Sequence, residues 1–215
     1  EKTIGSCIDE AKKGIAASKI SAEILVADNG SSDRSAFIAR EHGARVVNVA
    51  EKGYGSALIG GIKAAQGKYI IMGDCDMSYD FSDIGGFVHK LREGYGLVMG
   101  NRFGGIESGA MSFSHRYIGV PLLSLAGRIR YHTFVTDFHC GIRGFDREKA
   151  LALGLSCSGM EFATEIIGKF ARSEKIAQIP VKLRRDGRNG RSHLRSIPDG
   201  WRHLRFIITN SCEKK

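Results

Sequence analysis

The stretch Lys52 to Phe81, KGYGSALIGGIKAAQGKYIIMGDCDMSYDF, carries the reading that decides the fold. A glycine-rich turn leads into Ser56 to Ala65, whose apolar residues recur at helical spacing, and a short continuous apolar run, Tyr69 to Met72, follows at once. Uninterrupted apolar runs of this length suit strands buried on both faces. Directly after the run come Asp74 and Asp76, one residue apart, where the chain must turn. A helix, a buried strand and a polar strand end in thirty consecutive residues predict an α/β domain with its ligand site at the strand ends.

Working outward, the same alternation recurs. Ala22 to Ala27, Val46 to Val49 and Gly96 to Met99 read as further strands, and Ser35 to His42 and Ile84 to Leu91 as helices. Ile4, Ile8, Ala11 and Ile15 predict an opening amphipathic helix with Thr3 as N-cap, ending near Ser18. In the second half the pattern predicts helices at His115 to Ile129 and Met160 to Phe170, strands near Ile142 to Phe145 and Ala177 to Leu183, and a loop at Thr136 to Gly141. No repeat, low-complexity tract or linker breaks the 215 residues, so a single domain is expected with a mostly parallel central sheet flanked by helices.

With 42% apolar and 26% charged residues, disordered and fibrous classes are excluded. No apolar run approaches the roughly 18 residues of a membrane helix. The five cysteines are scattered, with no spacing that suits a structural zinc site, and a reduced cytoplasmic setting is the expectation. The net charge of +9 is concentrated: Lys182 to Arg205 holds eight Lys and Arg against two Asp, +6 in all. Such a run is either a solvated basic face or a site for an anionic partner.

Three apolar runs end in polar groups that can carry chemistry. Asp28-Asn29-Gly30-Ser31-Ser32-Asp33 either caps the following helix or contacts a nucleotide, and the two uses are compatible. Asp74 and Asp76 suit Mg²⁺ or Mn²⁺, which take hard oxygen ligands and often use only one or two carboxylates plus phosphates; the alternative is a simple turn cap. Gly100-Asn101-Arg102 ends the last run.

Together ILVADNGSSDRS, the stretch quoted above, GNRF, TDFHCGIRGF and IPVKLRRDGRNGRSHLRSIPDGWRHLRF resemble the family 2 glycosyltransferases of the GT-A fold, in the branch of dolichyl-phosphate mannose synthase and bacterial polyprenyl-phosphate relatives. The resemblance covers nearly the whole chain. It implies inverting, metal-dependent transfer of a sugar from a nucleotide-diphosphate sugar (UDP- or GDP-linked) to a polyprenyl phosphate, at the cytoplasmic face of a membrane. Residues up to about 103 would hold the nucleotide sugar and those from about 104 the acceptor. By the same resemblance Asp28 contacts the base and Lys52 lies in the loop approaching the nucleotide. Asp74 and Asp76 hold Mg²⁺ or Mn²⁺ under the diphosphate. Arg102 and Arg116 face the phosphate chemistry, and Asp137 and Arg143 match the D-x-x-x-G-x-R element, with Asp76, Arg102 and Asp137 counted as catalytic. Arg188, His193 and Arg195 complete the acceptor site.

The chain begins inside or just past the family's first strand motif, so a preceding strand is expected, as are hydrophobic helices beyond DGWRHLRF in the natural protein. A lipid phosphate is already ionised and needs no strong base, whereas a saccharide hydroxyl would need one, for which Asp137 and Glu161 are the candidates. A sugar nucleotidyltransferase would want a glycine-rich N-terminal signature ending in basic residues, which is absent. A nucleic-acid reader usually interleaves aromatics with its basic residues, but Lys182 to Arg205 contains only Trp201; no nucleic acid is expected as partner.

Overall fold

The computed structural model describes residues 1–188 and 196–209. In chain order it runs α1 (Ile4–Ala17), β1 (Leu25–Asp28), α2 (Ser35–Glu41), β2 (Arg45–Asn48), α3 (Tyr54–Ala64), β3 (Tyr69–Met72), α4 (Gly85–Arg92), β4 (Leu97–Asn101), α5 (Val120–Tyr131), β5 (Arg143–Asp146), α6 (Arg147–Ala152), α7 (Phe162–Phe170), β6 (Ile176–Pro180) and α8 (Ser196–Thr209). A 3₁₀ turn at Phe81–Asp83 precedes α4, and a π-helical turn at His115–Gly119 leads into α5.

The strands form two sheets. β1 and β2 pair in parallel, and the other four lie in the order β3-β5-β4-β6. β3, β4 and β6 share one direction, while β5 runs antiparallel between β3 and β4. That single reversal matters for the site. Because Arg143 at the start of β5 pairs with both Met72 and Met99, the loop before β5 arrives at the same sheet end as the loops after β3 and β4. β6 is parallel to β4, with Pro180 opposite Asn101, so the residues after β6 arrive there too.

Most of the core lies around β4 and β5. Phe87 and Leu91 of α4, Phe162, Ile166, Ile167 and Phe170 of α7, and Phe138 close over Leu97, Val98, Met99 and Phe145. Each such large side chain removed from water contributes roughly 1.5–3 kcal/mol. A second small cluster, Ile4, Ile8, Ala39 and Ala44, packs α1 and α2 on Ile24, Val26 and Val46. Helix α3 touches both sheets' surroundings, packing on β1 and β2 and on α6 and α7.

Several expectations need correction. Burial on both faces holds for β4, but β1 is half-buried along its length and β2 exposes both ends, because they form a sheet of only two strands. Thr3 does not cap α1 with its side chain; its hydroxyl donates to the Cys75 carbonyl at 2.6 Å and ties the chain start to the Asp74–Asp76 loop. Helices α6 and α8 were not anticipated. The first is only six residues long, and the second overlaps the basic stretch, with Phe206 and Ile207 near its end buried by tertiary packing.

Candidate active site

The Asp74–Asp76 loop is held from three directions. Asp74 lies against the backbone at Gly141, where a Cβ would stand 2.5 Å from its Oδ2, so a side chain at 141 would displace the carboxylate. The buried Tyr79 hydroxyl accepts the Gly141 N–H at 2.9 Å and fixes that backbone. Among the described residues no hydrogen bond or ion pair reaches the Asp74 carboxylate. Burial, and then the charge of Asp76, push its pKa up to about 6; Arg143, Arg188 and Arg102 act in the opposite sense. Asp76 accepts the Ser78 N–H at 2.9 Å through Oδ1, and its Oδ2 takes a hydrogen bond from Arg188 at 3.1 Å. Arg188 is itself clamped by Asp186, at 2.6 Å for the shortest contact, and these carboxylates hold it cationic.

Two neighbouring, partly desolvated carboxylates repel one another, and a divalent cation sharing them with phosphate oxygens relieves that repulsion. Among the described residues no cluster of three or more His, Cys, Asp or Glu side chains could hold a metal. The donor set therefore fits Mg²⁺ or Mn²⁺ completed by a diphosphate, rather than a cation caged by protein alone.

The glycine-rich turn lies beside this loop. Tyr54, at the start of α3, is close enough to Asp74 and Asp76 for their charges to add to the effect of burial in raising its pKa. Gly53 (φ 137°) allows the turn: a Cβ there would meet the Ser158 carbonyl at 2.2 Å, and that carbonyl accepts the Gly55 N–H at 2.9 Å. Lys52 Nζ donates to the Asn29 carbonyl at 2.6 Å, which ties the turn to the end of β1. Asp28 accepts the Ser31 N–H at 3.1 Å, and its hydrogen bonds from Ser31 hold its pKa down. Asp28 thus closes a turn on Ser31, Asp33 accepts the Ser35 N–H at 2.9 Å where α2 begins, and the N-cap residue Arg34 makes no side-chain cap bond.

Asp137 and Arg102 form one buried unit. The guanidinium donates to both carboxylate oxygens at 2.6 and 2.8 Å, and the Arg102 backbone N–H adds a third bond at 3.1 Å. Asp137 is fully buried and Arg102 is 8% exposed. Arg143 is also internal, donating to the carbonyls of Cys140, Ala163 and Phe138, so its guanidinium braces the loop before β5 against α7. Glu161, 1% exposed, faces Arg202 across a 3.1 Å ion pair. Arg116 sits in the π-helical turn with its guanidinium over the Tyr117 ring. His193 and Arg195 lie outside the described residues.

Sequence reading missed several positioning groups. Asn29 pins the 49–53 segment through the Val49 and Glu51 carbonyls and the Gly53 N–H; its place straight after an apolar run was the available signal. Tyr79 and Gly141 carried none, since they partner each other across a long stretch of sequence, whereas Asp186 stands two residues before the Arg188 it clamps. Asn101, which donates to the Thr136 hydroxyl at 3.1 Å, links the end of β4 to the loop before β5.

Residues 1–153 match the family model for glycosyl transferase family 2. The chain belongs to glycosyl transferase family 2. Over 214 residues it is 37% identical to the low-salt glycan biosynthesis hexosyltransferase Agl6 of Haloferax volcanii, covering 98% of this chain and 51% of that protein. It is 29% identical over 171 residues to the dolichyl-phosphate hexose transferase of the same organism, covering 76% of this chain and 70% of that protein. The chain thus spans only about half of some relatives that it matches. Among solved structures, the Mycobacterium tuberculosis glucosyl-3-phosphoglycerate synthase, crystallised with Mn²⁺, uridine diphosphate and phosphoglyceric acid, superposes with a TM-score of 0.71 at 23% identity, covering 97% of this chain and 72% of that one. The family 2 chain therefore has the GT-A fold.

Proposed function

We propose that this family 2 chain is the catalytic part of an inverting, metal-dependent glycosyltransferase that moves a sugar from a UDP- or GDP-sugar to a polyprenyl phosphate at the cytoplasmic face of a membrane. The observation that carries the reading is the Asp74–Asp76 pair, half-buried beside the glycine-rich turn and under the positive potential of Arg102, Arg143 and Arg188. The acceptor is suggested by relatives named as a dolichyl-phosphate hexose transferase and an undecaprenyl-phosphate 4-deoxy-4-formamido-L-arabinose transferase, the latter of Edwardsiella ictaluri.

In this reading Asp74 and Asp76 hold Mg²⁺ or Mn²⁺, which when bound supplies Lewis-acid stabilisation of the departing diphosphate. Asp28 and Lys52 orient the nucleotide. An oxygen of the acceptor phosphate attacks the anomeric carbon, the bond to the donor diphosphate breaks, and the diphosphate leaves with the electron pair. Arg188 and Arg116 hold the acceptor phosphate, as do His193 and Arg195 in the basic segment. Arg102 adds positive potential, with Asp137 fixing its geometry, and Arg143 acts through the loop it braces. Asp137 and Glu161 both face arginines, which favours an acceptor already ionised over a hydroxyl that needs a base.

The test is incorporation of radiolabelled sugar from UDP- and GDP-sugars into a polyprenyl phosphate, with Mn²⁺ or Mg²⁺, by the protein and by Asp76→Ala. The expected result is metal-dependent transfer that the variant loses. Equal transfer by the variant, or transfer indifferent to chelator, would remove the metal role from the Asp pair.

A further inference from the structure

The carboxylate of Asp76 already carries a cation that belongs to the chain itself. Its Oδ1 takes the Ser78 N–H at 2.9 Å, and its Oδ2, which the loop leaves open, takes Arg188 Nη2 at 3.1 Å. The Asp76 side chain is only 13% exposed, so solvent screens this contact weakly.

The same guanidinium is held more firmly elsewhere. Asp186 accepts Arg188 Nε at 3.0 and 3.1 Å and Nη2 at 2.6 Å, and the Arg188 backbone N–H adds a bond of 2.9 Å. Nη2 is therefore shared between two carboxylates, and leaving Asp76 costs Arg188 one hydrogen bond while Asp186 keeps the rest. The Arg188 side chain is 36% exposed, so it can turn outward without being stranded in the interior.

The backbone need not follow. The Arg184 N–H donates to the Ser78 carbonyl at 2.9 Å and the Gly187 N–H to the Asp76 carbonyl at 2.8 Å. The Arg184 guanidinium pairs with Glu10 and Asp80, and a Cβ at Gly187 would stand 3.2 Å from Thr3 Cγ2. These contacts fasten residues 184–187 along the Asp76–Ser78 loop and use neither oxygen of the Asp76 carboxylate. A divalent cation on Asp76 Oδ2 would face the guanidinium across one oxygen, and two positive charges at that range repel strongly in a poorly solvated site.

We propose that Arg188 is the resident counter-cation of Asp76, exchanged for the divalent metal by rotation of its side chain alone, with Asp186 as the positioning residue that retains the released guanidinium at the edge of the site. The inference rests on the metal reading of the Asp74–Asp76 pair and deepens it. Metal affinity is then set by competition with a group of the chain, and the exchange delivers a guanidinium, already oriented by Asp186, to an incoming phosphate.

Mn²⁺ alone, titrated into the protein and followed by the electron paramagnetic resonance signal of the free ion, reads the exchange without turnover. Arg188→Gln should tighten Mn²⁺ binding about tenfold, the equivalent of one hydrogen bond between charged groups. Arg188→Lys keeps the charge but loses the planar fork that spans both carboxylates, and should tighten it about threefold. Asp186→Asn leaves the guanidinium to Asp76 and should weaken Mn²⁺ binding about threefold, but should change nothing once Arg188→Gln is present. A field acting at a distance predicts otherwise: parent affinity for Arg188→Lys, and the same weakening by Asp186→Asn in both backgrounds. Either of those results, or no tightening by Arg188→Gln, would overturn the proposal. Repeating the titration with UDP separates the two readings. Mn²⁺ bound equally by parent and variants strikes the exchange alone, and Mn²⁺ bound by none of them, with or without UDP, strikes the metal reading itself.

Discussion

Replacing Asp137 by Leu should destabilise the protein by about 3–5 kcal/mol, because it leaves the Arg102 guanidinium charged, buried and unpaired. The magnitude follows from the geometry: Asp137 takes three hydrogen bonds, at 2.6, 2.8 and 3.1 Å, and two of them come from the guanidinium. Arg102 is 8% exposed, so little water can replace them. Burial alone would push the Arg102 pKa down, but Tyr79 and Asp137 more than offset this, so the residue stays ionised. The loss would be a large share of a typical stability of about 5–15 kcal/mol. Equilibrium urea denaturation, followed by Trp201 fluorescence, should show the midpoint falling by about 1–2 M for a slope near 3 kcal/mol/M. Asp137→Asn keeps the shape and part of the hydrogen bonding, and should fall between parent and Leu variant. Arg102→Met with Asp137→Leu removes the stranded charge and should recover most of the loss, although not the activity. A Leu variant within about 1 kcal/mol of the parent would refute the reasoning, as would a double variant whose loss equals the sum of the two singles.

Gly141→Ala should lower stability by about 1–3 kcal/mol and suppress the Mn²⁺-dependent thermal shift with nucleotide sugar, because the new Cβ would stand 2.5 Å from Asp74 Oδ2; an unaltered shift would show that Asp74 does not need that position. Arg188→Ala should raise the apparent KM for polyprenyl phosphate while donor affinity by calorimetry changes little, whereas equal losses would move Arg188 to the donor diphosphate. Acid should destabilise the fold through His203: burial, then Arg143 and Arg202, hold its pKa down to about 4 against an ordinary 6.5. The unfolded chain then binds the proton first, so stability present above pH 6.5 is lost as pH falls towards about 4, by roughly 3 kcal/mol. His203→Gln should flatten the pH 6.5 to 4 slope of stability against pH relative to the parent, and identical slopes would remove His203 from the account.

What the amino-acid order determined by itself is local: most of the helices and strands, α6 and α8 excepted, and which polar residues stand at strand ends. Tyr69 to Met72 and Gly96 to Met99 read as strands because an apolar run of that length has few other stable uses, and Asp74, Asp76, Asn101 and Arg102 follow them by chain connectivity alone. The alternation of strand and helix was likewise sufficient for the α/β class. Only the tertiary structure decided that β5 runs backwards between β3 and β4. A four-residue apolar strand reads the same in either direction, so no local pattern reports its polarity. Yet that reversal brings Asp137 and Gly141 to Arg102 and Asp74, while the parallel β6 delivers Arg188 to Asp76. The fate of each charge was also tertiary. Arg143 and Asp137 are charged residues that composition would place in water, and both are buried because backbone carbonyls satisfy the first and Arg102 the second. The outward Leu122, Leu125 and Ile129 show the converse: helical periodicity finds an apolar stripe, but only packing shows whether it faces the core, and here Gly127 and Ser124 face it instead.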